Sequence, residues 1–402
     1  MNAKEQQETG SVKLDTFRFW LVRGAILLTI GVIALGAYTR LSDAGLGCPD
    51  WPGCYGQLTV PVSKQELQKA NELYPNQGVE TSKAWAEMIH RYFAGSLGLV
   101  VFAITVLFLK KSTSKEQDDA AQAVGKLLPV ALTILVIAQA LLGMWTVTLK
   151  LMPVIVLAHL LGGFTLLSLL VLLHTQLCSI PKHSQQPCLQ IQLQHQSQQP
   201  NTGSTFFIKF LSLFALIVIV LQISLGGWTS SNYAALMCTS LPVCQGEWIN
   251  HLDFKTAFSL YQPGFDNYEF GVLDFAGRTT IHVSHRIGAI ITSLVVMLFC
   301  WQLAKSTTKF HKQAAKQLFA LLVIQVGLGI SNVVFTLPLT IAVLHNVCGA
   351  LLLANTVRIS YSLCSNKPFA YKRRTSQLAP SSIKPSLQNT FFAPKETGDS
   401  HE

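Results

Sequence analysis

Apolar residues run along this chain in long blocks, not in the one-sided spacing of a helix that lies half in water. Several blocks approach 20 residues, the length that carries a helix through the hydrocarbon core of a bilayer. They predict helices near 17–38, 88–109, 127–148, 153–174, 206–229, 283–304, 317–336 and 338–361. The first block, Phe17 to Ala37, follows a polar start and is longer than the apolar core of a secretory signal, so it reads as a retained helix. The fold class is all-α: a polytopic membrane protein with eight transmembrane helices.

Polar stretches divide the blocks. From Ser179 to Gly203 the chain is rich in Gln, Ser and Pro ("QIQLQHQSQQPN") and has no apolar periodicity, which reads as a flexible linker. The expected organisation is a short N-terminal segment at 1–16, a four-helix half at 17–178, the linker at 179–205, a second four-helix half at 206–361 and a disordered tail at 362–402.

Composition agrees, and charge adds a direction. Of the 402 residues, 50% are hydrophobic and 12% charged, against about a quarter charged in soluble domains. A net charge of +10 could suggest nucleic acid, but its distribution argues against that partner. The connections around Lys110, Lys111, Lys115 and Lys126, and around Lys305, Lys309, Lys312 and Lys316, are basic. So are the start and the tail, while the long loops 39–87 and 230–282 carry many acidic residues. The positive-inside rule then places both termini in the cytoplasm and the two long loops outside. The reading is a multi-pass protein of the cell's inner (plasma) membrane, with the lipid bilayer and not nucleic acid as its surroundings.

The two halves repeat. A shift of 190 carries Gly36, Thr39, Cys48, Pro52, Cys54 and Gly56 onto Gly226, Thr229, Cys238, Pro242, Cys244 and Gly246. A shift of 195 carries His90-Arg91 onto His285-Arg286, and one of 186 carries Gln139, Gly143 and His159 onto Gln325, Gly329 and His345. Each half begins on the same side, so the eight helices are expected to form two pseudo-symmetric four-helix bundles in a parallel repeat.

Ionisable side chains within a span are costly and usually functional. His90, His159, His285 and His345 are expected within two turns of the outward ends of their helices, about 10 Å or less into the leaflet at 1.5 Å per residue. Each half thus offers two imidazoles at similar depth on separate helices, which suits the two axial ligands of a haem iron. For any one of them alone, an interhelical hydrogen bond is an equal reading. A closed zinc site lacks its further ligands at that depth. Arg91 and Arg286 follow the first histidine of each half, either to pair with haem propionates or to snorkel outward.

The halves also differ. Under the 195 shift Glu87 falls opposite His282, so only the first half places a carboxylate one turn before its ligand candidate. Such a group can accept or deliver protons, or complement the helix dipole. The asymmetry points to a first half that reacts and a second that holds a permanent haem. Cys48 with Cys54 and Cys238 with Cys244 lie on the expected oxidising side, each pair spanning a short Pro-containing loop, and each is expected to form a disulfide. Such a bridge is structural or exchanges electrons.

"TRLSDAGLGCPDWPGCYGQL", "EMIHR", "HRIGA" and the fourth-helix histidines together closely resemble the haem A synthase family of bacteria and mitochondria, over residues 17–361. The resemblance implies an enzyme that oxidises a methyl group of haem O to a formyl group, giving haem A for terminal oxidases. It implies that His90 and His159 hold the substrate haem, that His285 and His345 ligate the iron of a haem b cofactor, and that Glu87 assists catalysis. It further implies haem O synthase and terminal oxidase assembly machinery as partners, with an electron acceptor and a homo-oligomeric state left open. A dihaem b-type electron-transfer protein, similar to quinol oxidoreductases, is the alternative that the histidines alone would equally serve. The second loop, "ALMCTSLPVCQGEW", keeps its cysteines but lacks the Asp50-Trp51 of the first.

Overall fold

The computed structural model describes residues 3–110, 124–178, 202–241, 244 and 248–365, with the side chains of its first and sixth helices described from Thr16 and Phe206. Most of the expected linker and of the expected tail, the basic stretch 111–123 and Gly246 lie outside the described residues.

Among the described residues, eight helices are long and apolar enough to cross a membrane. In chain order they are α1 (Ala3–Leu41), α3 (Thr81–Leu109), α4 (Leu127–Thr148), α5 (Pro153–Cys178), α6 (Thr202–Ser231), α8 (Phe275–Ala304), α9 (Lys309–Val334) and α10 (Leu339–Cys364). Two short helices, α2 (Lys64–Leu73) and α7 (Phe254–Ala257), lie in the long loops. Hydroxyls inside the spans bond back to the carbonyl one turn earlier, as Thr29 does to Ala25 (2.7 Å), Ser168 to Phe164 (2.8 Å) and Thr356 to Leu352 (2.8 Å). A polar side chain is thereby satisfied within its own helix where no water can serve it.

Besides α1, which begins at Ala3 instead of 17, and α6, which begins at Thr202 instead of 206, three helices begin earlier than hydropathy indicates. α3 starts at Thr81 instead of 88, α8 at Phe275 instead of 283 and α9 at Lys309 instead of 317. Their added turns are polar ("TSKAWAE", "FAGRTTIH", "KFHKQAAK") and do not register as apolar runs. Asp274 caps α8 by accepting from the Gly277 N–H at 2.8 Å, and Thr308 caps α9 by accepting from the His311 N–H at 3.3 Å. His90 and His285 consequently lie about 13–15 Å along their helices at 1.5 Å per residue, deeper from the helix start than the sequence suggested.

The spans pack as two rings. In the first, α1 touches α3, α3 touches α4, α4 touches α5 and α5 returns to α1; in the second, α6, α8, α9 and α10 follow one another in the same way. The rings join along α5, α10, α1 and α6. Phe19, Val22, Val101, Ile104, Leu132, Leu170 and Leu173 fill the first ring, and Leu211, Ile219, Phe299, Leu303, Leu318 and Leu353 the second. Leu27, Leu99, Ile134 and Ile290 face outward at 62–73% exposure, as a lipid-facing surface requires.

Candidate functional site

The stretch after α1 is a cap folded onto α3. Its glycines allow close approach: a Cβ on Gly47 would lie 2.6 Å from the Lys83 backbone, and one on Gly53 2.4 Å from the Gln57 carbonyl oxygen. Asp50 organises the turn by accepting from the N–H groups of Tyr55 (2.6 Å) and Gly56 (2.9 Å). Both of those residues have positive φ, +53° and +73°, a conformation the paired Asp50 bonds help to hold. A disulfide joins Cys48 to Cys54. Cys48, Cys54, Tyr55, Val60, Ala70, Ala84 and Met88 form a small core of their own, and the Tyr55 hydroxyl donates to the Gly78 carbonyl at 3.0 Å. Burial, with the negative charges of Glu80, Glu87 and Asp50 nearby, pushes the Tyr55 phenol above its ordinary value, so it stays a neutral donor.

Two side chains of α3 hold this cap. Glu87, buried at 5% exposure, accepts from the Cys48 N–H at 2.9 Å and from Arg91 Nη2 at 2.6 Å. Arg91 also donates to the carbonyls of Asp50 (3.0 Å) and Gly53. The second half repeats the grip with one exchange. Arg286 Nε donates to His282 Nε2 at 3.0 Å, and its Nη groups donate to the carbonyls of Cys238 and Ser240. His282 meets the Ala234 carbonyl through Nδ1 at 2.9 Å, and Cys238 is bridged to Cys244. Each arginine therefore reaches back four residues, to a carboxylate in one half and to an imidazole in the other.

Below each cap stand the histidines. The His90 and His159 imidazoles, from α3 and α5, are near enough for their charges to interact, and so are His285 and His345, from α8 and α10. All four rings are half-buried, and each faces a glycine on a neighbouring helix. A Cβ on Gly36 would lie 2.8 Å from His90 Cε1, and one on Gly143 3.4 Å from His159 Cε1. On Gly226 it would lie 3.0 Å from His285 Cε1, and on Gly329 3.1 Å from His345 Cε1. These glycines fix where the rings sit, by leaving room only in that orientation.

The donor set fits axial haem ligation. Each ring carries two half-buried imidazoles on separate helices, His90 on α3 with His159 on α5 and His285 on α8 with His345 on α10, the number and type of donor that two axial ligands require. Among the described residues no three His, Cys, Asp or Glu side chains gather as a metal site, so what the fold provides is pairs and not a closed tetrahedral set.

Gln222 and Arg40 are absent from the sequence reading, and Gln325 enters it only as the repeat match of Gln139. Gln222 of α6 reaches His285, with its Nε2 3.0 Å from Nδ1, and Gln325 of α9 reaches His345 at 3.2 Å. Arg40, in the last turn of α1, donates to the Ser230 carbonyl of α6 at 2.7 Å and lies over the Tyr233 ring at 4.1 Å, tying the two rings together at the cap end. A signal for Arg40 was available: the 190 shift that aligns the halves carries it onto Ser230, the residue it touches. A polar cleft of about 320 Å³ lies between the first cap, the start of α3, the α4–α5 turn and the second loop, with Gly47, Tyr55, Glu80, Lys83, Lys150 and Glu269 in its wall. It reaches to within one residue of Cys48, whose N–H binds Glu87.

Comparison with known proteins agrees with this architecture. The chain is 49% identical to a heme A synthase of Shewanella oneidensis over 344 residues, 86% of this chain and 96% of that protein. It is 27% identical to a heme A synthase of Mesorhizobium japonicum, covering 81% and 85% of the two chains, and 24% identical to one of Rickettsia bellii, covering 86% and 98%. Residues 18–357, essentially the whole of both rings, match the COX15-CtaA family, described as cytochrome oxidase assembly protein. By the extent of that match and by its 49% identity to the Shewanella oneidensis protein, this chain belongs to the COX15-CtaA family.

Proposed function

We propose that this chain is a haem A synthase, a membrane oxidoreductase that oxidises a methyl group of haem O to a formyl group. The observation that carries the reading is the exchange beside the two ligand pairs: Arg91 holds Glu87 where Arg286 holds His282. The two halves share their histidines, glycines and arginines, but only the first has a carboxylate within one turn of a ligand candidate. The Shewanella oneidensis and Mesorhizobium japonicum proteins to which the chain is similar are heme A synthases, which supports the reading.

In this reading His90 and His159 hold the iron of substrate haem O, a large lipophilic molecule that would reach them between the helices from the lipid. His285 and His345 hold haem b, which when bound supplies a one-electron relay. Converting a methyl to a formyl group inserts one oxygen and removes four electrons, and protons leave with them. Glu87 is the residue placed to take up such protons, since its carboxylate sits one turn from His90 and is linked through Cys48 to the edge of the polar cleft. Arg91 and Asp50 keep the cap down over that carboxylate and exclude bulk water. With both arginines engaged by cap carbonyls, their contribution to propionate binding would come from the remaining donors of the guanidinium. The Arg40–Ser230 contact, between residues equivalent under the repeat, supports a pseudo-twofold axis passing between the halves. Both termini are placed in the cytoplasm and both caps outside, by the distribution of basic residues.

The test is expression in a cell that makes haem O but no haem A, followed by chromatography of the extracted haems. Haem A is the expected product. Haem O left unchanged beside a spectrally normal bound haem b would overturn the reading in favour of a dihaem electron-transfer protein.

A further inference from the structure

The two long loops carry short helices of opposite character. In the first, α2 turns Lys64, Gln65, Gln68, Lys69 and Glu72 outward and buries Ala70 in the cap. In the second, α7 turns phenylalanines outward. Phe254 is 59% exposed and Phe258, one turn on, 38%, their rings nearly parallel with centroids 6.4 Å apart. Leu260 and Tyr261 follow at 63% and 68%. Large apolar side chains grouped in this way mark a surface that meets something other than water.

The placing of α7 says what it meets. The Asp253 N–H donates to Thr280 Oγ1 of α8 at 2.8 Å, and the Trp228 indole N–H of α6 donates to the Ala257 carbonyl at 2.8 Å. A Cβ on Gly277 would lie 3.4 Å from Thr256 Cγ2, so α7 packs closely on α8, and Ala257 shares a buried cluster with Trp228 and Ile281. At 1.5 Å per residue, Thr280 lies about 7.5 Å inside the start of α8 and Trp228 about 4.5 Å inside the end of α6. The 30 residues of α8 span about 45 Å. That exceeds a hydrocarbon core of about 30 Å and matches the 40–45 Å or so of a bilayer with its headgroups. The first turns of α8, and α7 beside them, therefore stand at headgroup level. Farther along α8 the outward surface continues through Ile287 and Ile290, at 52% and 63% exposure.

We propose that α7 and the residues after it are an interfacial anchor, with Phe254, Phe258, Leu260 and Tyr261 immersed in the phospholipid leaflet on the cap side. They sit at the boundary of headgroups and acyl chains, where aromatic side chains are favoured. Lys255, exposed beside Phe254, keeps its ammonium among the lipid phosphates and lays its stem along the apolar surface. The same loop reaches the other ring, because the Tyr268 N–H donates to the Lys150 carbonyl in the α4–α5 turn at 3.1 Å. The second loop is thus fastened to the membrane at one point and to the first ring at another, whereas α2 stands in water.

The experiment places the photoreactive residue benzoylphenylalanine at Phe254, at Phe258 or, as the control, at Gln68 of α2, in the full chain in its native membrane. After irradiation the adducts are identified by mass. Phospholipid adducts at 254 and 258 are expected to exceed those at 68 several-fold. A second measurement needs no variant: amide hydrogen exchange over 254–261 should slow when the purified chain passes from a lipid-free amphipol into phospholipid nanodiscs, while exchange in α2 stays the same. Protein adducts in place of lipid at 254 and 258 would assign this face to a second copy or another protein and overturn the anchor. Lipid labelling no greater than at 68, or exchange over 254–261 indifferent to lipid, would overturn it as well.

Discussion

Arg91 reaches back one turn of α3 to hold Glu87, its Nη2 2.6 Å from Oε1, with both side chains nearly removed from solvent. The pair does two things at once. It neutralises a carboxylate on a membrane helix, and it anchors the cap, because the same two side chains bond Cys48, Asp50 and Gly53.

Removing the carboxylate and removing its charge should therefore have different consequences. Glu87→Ala leaves the partly buried Arg91 with only the cap carbonyls and frees the Cys48 N–H, at a cost of about 1–3 kcal/mol. Glu87→Gln retains an oxygen for the Cys48 N–H and keeps the cap. Both variants are expected to keep haem b and to lose most haem A formation, but only Glu87→Ala should lower the thermal unfolding temperature. A Glu87→Gln protein with native haem A yield would show that the carboxylate acts only as a clamp.

Arg286 is expected to be irreplaceable by lysine, because a single ammonium cannot reach His282 Nε2 and the carbonyls of Cys238 and Ser240 together. Losing one charged hydrogen bond of about 1.5–3 kcal/mol should speed amide hydrogen exchange in the cap of Arg286→Lys by about tenfold or more. Exchange in the core of α10 should be unaffected. Equal exchange in the native chain and the variant would mean that the arginine does not hold the cap.

The glycines facing the histidines give a steric test. A methyl on Gly226 would sit 3.0 Å from His285 Cε1, and one on Gly36 2.8 Å from His90 Cε1. Gly226→Ala is expected to diminish bound haem b, seen in the reduced-minus-oxidised spectrum, and Gly36→Ala to spare it while cutting haem A formation. Gly24→Ala, where nothing lies within 4 Å, is the matched control and should change neither.

The Cys48–Cys54 bridge closes a loop of six residues' separation inside a buried cluster, for which chain entropy gives about 2 kcal/mol. Replacing both cysteines with serine should lower cap stability by that order and leave haem A formation measurable at reduced temperature. Complete loss of product in a variant that unfolds like the native chain would instead assign the bridge a redox role.

The membrane helices were legible because a span needs a long apolar run, and eight of them stand among the described residues. The disulfides followed from the spacing of Cys48, Cys54, Cys238 and Cys244 and the expected oxidising side, and both are formed. What hydropathy could not show were the polar first turns of α3, α8 and α9, whose helices are set by Asp274 and Thr308 caps and by packing of the caps against them. The grip of Arg91 on the cap was likewise hidden, since its partners Asp50 and Gly53 offer backbone carbonyls that leave no trace in residue identity. Gln222 leaves no trace in the repeat for a related reason. Its counterpart is Val32, so it is not among the residues the halves share.

The central claim is a division of labour, with oxidation in the first ring and a lasting haem b in the second. It is tested most directly by loading the purified chain, already carrying haem b, with haem O and an electron acceptor, and resolving the extracted haems by chromatography over time. The expected record is haem O falling as haem A rises, through any hydroxylated intermediate, while haem b stays constant. Haem O recovered unaltered, or haem b consumed in its place, would contradict it.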